Sequence, residues 1–299
     1  MNQLISLYRT QINRLVTVAT LLFVFPGLTI AGPDIPGDKL TVEEIIARHL
    51  SSIGKAEDIA AAKTRVINGQ HRSLLKASNS MVEVVGVVQF ASDGEKVLLV
   101  MLFNANNYPY EKFAYDGSKF TVATLPTGGR SPLTNFLVTQ DVVFKHGLIG
   151  GALSSAWPLA ALDSDKGKLS YGGSEHIDGR EVHKLKYQPK KGDVRIALYF
   201  DAETFRHVRS EYEYTITGQM GPRPGDLVTG PSGTGGARSR YKVTEEFSVF
   251  KTNGKLTLPT KYKIQYVSDT STLDYNITLS QFVFDQAIDS KAFRISSAE

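Results

Sequence analysis

Stretches of alternating apolar and polar residues run through most of this chain of 299 residues, and short turn sequences separate them. Asp93-Gly94, Asp116-Gly117 and Asn253-Gly254 are typical of the tight turns that join antiparallel strands, because glycine adopts a positive φ at no steric cost. A period of two places successive side chains on opposite faces of a sheet. The pattern therefore predicts a mainly β (α+β) fold built on an antiparallel meander.

The hairpin signals predict about eleven strands. They cover residues 81–90, 95–103, 110–115, 119–125, 168–176, 181–188, 194–201, 206–217, 238–250, 256–267 and 273–284. After residue 180 one face is apolar, whereas the opposite face carries charged residues and His207. We expect the apolar face to be covered and the charged face to contact water.

The apolar face of the later strands contains five tyrosines. A dry core favours Leu, Ile and Val, because each buried tyrosine hydroxyl needs a hydrogen-bond partner. Two interpretations stay open: a concave cavity that a ligand reaches, or a face covered by helices with the hydroxyls at its rim. The candidate ligand-cavity residues are Tyr187, Leu198, Phe200, Tyr212, Tyr214, Tyr262, Ile264, Tyr266, Met101, Phe136 and Trp157.

Two regions have helical signals. Thr41 and Glu44 form a capping box before an apolar stripe, Gly54 is suited to end that helix in the left-handed conformation, and a short second helix is expected over 56–62. Residues 131–163 are predicted to form a helical insert: one helix begins at Ser131-Pro132 and ends at Gly147, and another is expected within 148–162, ending near Trp157-Pro158. We expect this insert to pack on the sheet as a lid or plug.

The strand at 95–103 is apolar on both faces. It should therefore be covered twice, by the N-terminal helix on one side and by the insert or a ligand on the other.

Residues 1–31 have the features of a secretory signal peptide. Arg9 and Arg14 precede an apolar run, and Ala31 provides a small residue for cleavage. The alternative is an uncleaved membrane anchor, since the run is close to the length of a spanning helix. The expected mature chain, 32–299, is a single exported domain with a flexible Gly/Pro loop at 218–236.

The composition excludes several classes of protein. There is no cysteine, so a disulfide scaffold, a thiolate metal site and an acylated lipoprotein are excluded. The 34 basic residues nearly balance 30 acidic ones, and removal of 1–31 leaves a net charge of +2. So small an excess of positive charge does not predict binding to nucleic acid.

No catalytic motif is present. The six histidines form no His-Glu-x-x-His pattern, and no Gly-x-Ser-x-Gly elbow occurs. The carboxylate pair Glu245-Glu246 lies in a strand, where neighbours point to opposite faces, so the two do not share a site. We expect a protein that is not an enzyme and uses no metal or cofactor; a hydrolase would need a site assembled from residues distant in sequence.

Five segments spread over nearly the whole mature chain are typical of one scaffold. They are residues 40–54 (LTVEEIIARHLSSIG), 147–159 (GLIGGALSSAWPL), 177–185 (IDGREVHKL), 198–212 (LYFDAETFRHVRSEY) and 245–263 (EEFSVFKTNGKLTLPTKYK). With the meander and the helical insert, they resemble outer-membrane lipoprotein-sorting proteins of the LolA/LolB-like superfamily of periplasmic lipoprotein carriers. The resemblance implies an unclosed half-barrel with helices that plug its concave face.

The resemblance also implies a function. Relatives hold acyl chains in a hydrophobic cavity, so the expected protein is a non-catalytic periplasmic carrier or sensor of a lipid or lipidated protein, acting as a monomer. In the classical carrier an Arg-Pro pair precedes the strand before an Asp-Gly turn and helps to close the lid; residues 104–115 contain no arginine, so that contact is not expected here. The alternative is a protein-binding module, with envelope proteins as partners, in envelope assembly or stress signalling.

Overall fold

The computed structural model describes residues 40–77, 80–123, 125, 129–161, 166–217 and 238–295. The predicted signal peptide at 1–31 and the Gly/Pro loop at 218–236 lie outside these residues. The α-helices are α1 (Val42–Ile53), α2 (Ala56–Ala61), α3 (Pro132–Thr139) and α4 (Val142–Lys145). The strands are β1 (Thr64–Ala77), β2 (Ser80–Asp93), β3 (Lys96–Phe103), β4 (Tyr110–Tyr115), β5 (Phe120–Val122), β6 (Gly167–Ile177), β7 (Arg180–Pro189), β8 (Arg195–Asp201), β9 (His207–Thr217), β10 (Arg238–Asn253), β11 (Leu256–Val267) and β12 (Ser271–Phe284).

All twelve strands join one antiparallel sheet. Its order is β5-β4-β3-β2-β1-β12-β11-β10-β9-β8-β7-β6, so β1 and β12 pair at the centre, and β5 and β6 are the free edges. Because the edge strands do not pair, the sheet stays unclosed. The expected open half-barrel is confirmed, with twelve strands in place of about eleven.

The additional strand is β1, which lies between β12 and β2. Its inward positions include Arg65, Gly69, His71 and Ser73, all buried, so the alternation of apolar and polar residues is weak. Pairing on both edges holds this segment extended, and its own periodicity does not indicate the strand.

The structure of the first helical region agrees with the prediction, except at the C-terminus of α1. Thr41 and Glu44 form the capping box, and Ile45, Ile46 and Ile53 are buried. Gly54, however, has φ 167° and ψ −174°, which is extended backbone and not the left-handed cap. The chain therefore leaves α1 in an extended conformation and enters α2 at once.

The insert is less helical than predicted. The first predicted helix is divided at residues 140–141 into α3 and α4, and the helix predicted over 148–162 is wrong. Within its described part this stretch has only two single-turn 3₁₀ helices, Gly151–Leu153 and Pro158–Ala160. Gly150 and Gly151 have φ of 80° and 50°, which is incompatible with a continuing α-helix. Among the described residues, no helix is long and apolar enough to span a membrane.

Strand β3 is covered on both faces, but by different elements from those expected. Val97, Leu99 and Met101 face the main core, which includes the insert. On the opposite face, Leu98 packs with Phe293 in a second, smaller cluster. The C-terminal segment therefore covers the side assigned to the N-terminal helix, while α1 contacts α2, β6, β11 and Pro158–Ala160.

A register shift between β8 and β9 moves His207 to the inner face. Tyr199 pairs with Arg209 and Phe200 pairs with His207, so Val208 is an extra residue that opposes none on β8. This β-bulge reverses the alternation at the start of β9. His207 is buried, and its predicted position on the charged face is wrong.

Candidate functional site

The insert lies against the inner face of the sheet, over the residues predicted to line a ligand cavity. All eleven belong to one hydrophobic core, and none is more than 8% exposed. They are Tyr187, Leu198, Phe200, Tyr212, Tyr214, Tyr262, Ile264, Tyr266, Met101, Phe136 and Trp157. The structure thus brings together nine residues of the sheet and two of the insert, Phe136 and Trp157, and their role as ligand contacts stays a prediction.

Glu245 is a buried carboxylate that joins the sheet to the insert. Tyr212 Oη donates to Glu245 Oε2 over 2.6 Å and to the Leu148 carbonyl over 3.2 Å. Tyr262 Oη donates to Glu245 Oε1, which also accepts the Gly150 backbone N–H over 2.8 Å. Burial raises the pKa of Glu245, and these hydrogen bonds act in the opposite direction. The hydroxyls of Tyr212 and Tyr262 therefore find their partners in the interior and not at a rim.

Glu111 has the same role further along the sheet. Its Oε1 accepts from Tyr275 Oη over 2.5 Å and from Tyr108 Oη over 3.2 Å. Its Oε2 accepts from the hydroxyl of Thr134, in α3, over 3.4 Å. Burial raises the pKa of Glu111 to about 7, against the effect of these hydrogen bonds. Tyr108 Oη also accepts the Ser131 backbone N–H, so this cluster binds the N-terminus of α3.

Arg65 of β1 provides a third contact with the insert. Its Nη1 donates to the Ala152 carbonyl over 2.5 Å and to the Ser154 carbonyl over 3.1 Å. Burial lowers the pKa of Arg65 to about 10, and Asp285 partly offsets this, so the guanidinium keeps its charge at neutral pH. No arginine was expected to hold the insert, because residues 104–115 contain none; the arginine that does so lies on β1, a strand that was not predicted.

His49 of α1 is neutral and connects two elements. Its Nε2 accepts from Trp157 Nε1 over 3.0 Å, so Nδ1 carries the proton and donates to the Phe205 carbonyl over 3.1 Å. Burial lowers the pKa of His49 to about 4. Trp157 also stacks on His207 with ring centroids 4.8 Å apart. These contacts fix the C-terminal part of the insert between α1 and the sheet.

A cleft of about 530 Å³ opens beside the insert, between α1, α2 and the start of β1. Its volume is within the range of roughly 300–1,000 Å³ typical of ligand pockets. Its walls combine apolar and small residues with a few charged ones. The lining residues are Ala47, Leu50, Ser51, Gly54, Ala56, Ile59, Ala60, Ala62, Lys63, Arg65, Asp93, Gly94, Ser155 and Ala160.

None of the eleven predicted cavity residues lines this cleft. The signal for Glu245 was available, because it occupies an inward position in an alternating strand, between Val243 and Phe247; Glu111 had a weaker one, since only Phe113 is its inward neighbour within β4. A glutamate at such a position predicts a buried hydrogen-bonded carboxylate. The cleft had no comparable signal, since its residues come from α1, α2, two strands and the insert.

The buried polar groups of the inner face are directed at one another and at the backbone of the insert. Among the described residues, no group of three His, Asp or Glu side chains is placed to hold a metal ion. The arrangement is suited to holding a covering segment in place and to accepting an apolar molecule at its margin.

No protein-family model and no curated protein matches the sequence. Similar solved structures include a DUF1329 family protein from Desulfovibrio piger, at 11% identity over 87% of this chain and 100% of that one, with a TM-score of 0.47. A LolA superfamily protein from Nitrosomonas europaea has 11% identity over 86% and 99%, with a TM-score of 0.46. A domain described as an outer membrane lipoprotein-sorting protein, from Vibrio parahaemolyticus, has 11% identity over 84% and 95%, with a TM-score of 0.46.

Proposed function

We propose that this protein is a non-catalytic carrier or sensor that binds a lipid, or the acyl chains of a lipoprotein, in the cell envelope. The observation that carries the proposal is the cleft of about 530 Å³ at the margin of the insert. Leu50 and Ile59 give it apolar walls, and the insert separates it from the tyrosine-rich inner face. An acyl chain would occupy the cleft and extend beneath the insert.

The energetics of acyl burial support this role. Each buried methylene contributes about 0.8 kcal/mol, so a long acyl chain gains on the order of 10 kcal/mol on leaving water. A continuous apolar interior is therefore sufficient for tight binding, and no catalytic group is needed. The signal-like sequence at 1–31 supports export to the periplasm, where such chains need protection from water.

Native mass spectrometry of the full chain, purified from the envelope fraction without detergent, tests the proposal. We expect a population with an added mass that lipid extraction removes, and identification of the extracted lipid by its fragments. Protein refolded after delipidation serves as the control, and it should regain the mass when incubated with the same lipid. A chain that carries no lipid and takes up no acyl probe would contradict the proposal.

A second candidate function, a protein-binding module, is favoured by one surface. Met81, Val85 and Val87 alternate along the outer face of β2 and are 70%, 47% and 51% exposed. Leu102, opposite Val87 on β3, is 43% exposed. An exposed apolar patch of this kind is typical of an interaction site. Pull-down with and without detergent-solubilised lipoproteins, using wild type and Val87→Asp, separates this function from lipid carriage.

A further inference from the structure

The cleft contains a buried positive charge that the protein only partly satisfies. Arg65 lines the cleft although just 4% of its surface is exposed. Its Nη1 donates to two carbonyls, and its Nε lies 3.5 Å from the Ala62 carbonyl. Within the described part of the chain, Nη2 makes no hydrogen bond, and no carboxylate forms an ion pair with this guanidinium. Asp285 acts on this charge only from beyond ion-pair distance, and a buried charge without a direct counter-ion is costly, so the site favours an anion.

The other charges around the cleft reinforce this preference. Lys63 is exposed among the lining residues and adds a second positive charge. Asp93 also lines the cleft, but Lys96 Nζ is 3.1 Å from its Oδ2 and neutralises it. Asp58 on α2 pairs with Lys255 at 2.9 Å. The cleft is therefore positive at one end, where Lys63 and Arg65 lie two positions apart in the chain.

The remaining wall is apolar. Leu50 and Ile59 are half-buried, and Ala47, Ala56 and Ala60 present small exposed side chains from α1 and α2. Small side chains leave room for a flexible chain along the helices, and the two larger ones provide contact area. The cleft thus has one cationic end and one apolar wall, which is the complement of a molecule with an anionic head and a hydrocarbon tail.

We propose that the cleft binds an amphiphile with a single anionic head group, with the head at Arg65 and the hydrocarbon chain along Leu50 and Ile59. The inference rests on the proposed acyl-binding function and adds to it a requirement for charge and a location for the head group. A carboxylate and a phosphate monoester share this chemistry, because both accept two hydrogen bonds from a guanidinium.

Binding of matched probes to the full chain tests the charge requirement. The probes are palmitate, its neutral methyl ester and a single-chain lysophosphatidic acid, each measured by calorimetry below its micelle concentration. We expect palmitate to bind about tenfold or more tightly than methyl palmitate, since a hydrogen bond to a charged group has this strength. Comparison of palmitate with lysophosphatidic acid shows whether the site prefers a carboxylate or a phosphate monoester. In Arg65→Met, the preference for palmitate over its ester should fall several-fold, because only the exposed Lys63 then remains at that end.

A pair of tryptophan variants tests the location and does not depend on Arg65→Met folding. Ala60 and Ala61 are exposed neighbours on α2, but only Ala60 lines the cleft. Ala60→Trp should weaken palmitate binding at least tenfold by filling the cleft, whereas Ala61→Trp should bind like wild type. Equal binding of palmitate and methyl palmitate to wild type, or equal effects of the two tryptophans, would overturn the inference while acyl binding stands. If no acyl probe binds at all, the proposed function fails as well.

Discussion

At the scale of single residues, Glu111 and Glu245 set the inner face apart from an ordinary hydrophobic core. Each is buried and accepts hydroxyl protons from two tyrosines, and each also contacts the insert. A buried carboxyl group is tolerated when such partners are present, and the shift in its pKa couples stability to pH.

The pH dependence of Glu111→Gln tests this coupling. The ordinary pKa of 4.5 is raised to about 7, so between these values the folded chain binds more protons than the unfolded chain. The stability that Glu111 contributes is therefore complete at low pH and is lost as pH rises through this interval. The rise of the pKa from 4.5 to about 7 lowers the unfolding free energy by about 3 kcal/mol once Glu111 is fully ionised. Tyr108 and Tyr275 stay protonated, because burial raises the pKa of each.

As pH rises from about 4 to about 8, we expect the unfolding free energy of Glu111→Gln to increase by about 3 kcal/mol relative to that of wild type, since glutamine does not ionise. Its amide oxygen can replace Oε1, which accepts from both tyrosines, with the NH₂ group toward Thr134. Urea unfolding at four pH values provides the measurement, and Glu203→Gln, at an exposed glutamate, is the control. A difference that does not change with pH would show that Glu111 is ionised in the folded protein.

At the scale of elements, the sequence predicted the strands of the sheet better than the helices of the insert. Hairpins were found because each is defined by a local turn and by alternation. Strand β1 was missed because Arg65, His71 and Ser73 occupy its inward positions. The helix predicted over 148–162 failed at Gly150 and Gly151, whose backbone is set by close contacts: a Cβ there would lie 2.6 Å from Phe90 Cζ and 2.6 Å from His207 Nδ1, respectively.

The attachment of the insert makes a second prediction. Tyr212→Phe removes the hydroxyl that reaches both Glu245 and the Leu148 carbonyl. We expect faster amide hydrogen exchange in residues 142–154, with strands β9–β12 unchanged, because local opening becomes easier when a buried carboxylate loses a donor.

Tyr199→Phe is the matched control for that experiment. Tyr199 donates to Glu211 Oε2 over 3.2 Å, and that glutamate forms an ion pair with Lys242 rather than a contact with the insert. Its loss should leave exchange in the insert at the wild-type rate. Equal exchange in the two variants would mean that Tyr212 does not hold the insert.

At the scale of the whole molecule, the open cleft can hold part of an acyl chain, but the extension of that chain beneath the insert requires the insert to move away from the inner face. The chain has no cysteine, so one engineered disulfide can test this directly. Ser155 in the insert donates its backbone N–H to Ser92 Oγ over 2.9 Å, so a Ser92→Cys/Ser155→Cys pair would join the insert to β2. We expect the oxidised protein to lose uptake of two-chain lipids and to recover it on reduction, as measured by native mass spectrometry.

An Asn68→Cys/Gln89→Cys pair is the control for the disulfide. Gln89 Nε2 donates to Asn68 Oδ1 over 3.0 Å across β1 and β2, so this bond crosslinks two strands without the insert. It should leave uptake unchanged in both redox states. Uptake that survives the first crosslink would show that lipid binds without displacement of the insert.

The sequence by itself determined the antiparallel meander, its turns, the capped N-terminal helix and the apolar inner face, because these depend on residues within a few positions of one another. Only the tertiary structure decided that β1 lies between β12 and β2, that the C-terminal segment covers β3, and that Glu111, Glu245 and Arg65 hold the insert. These contacts join residues far apart in the chain, and the stability of a buried charge depends on the partners that the fold places around it.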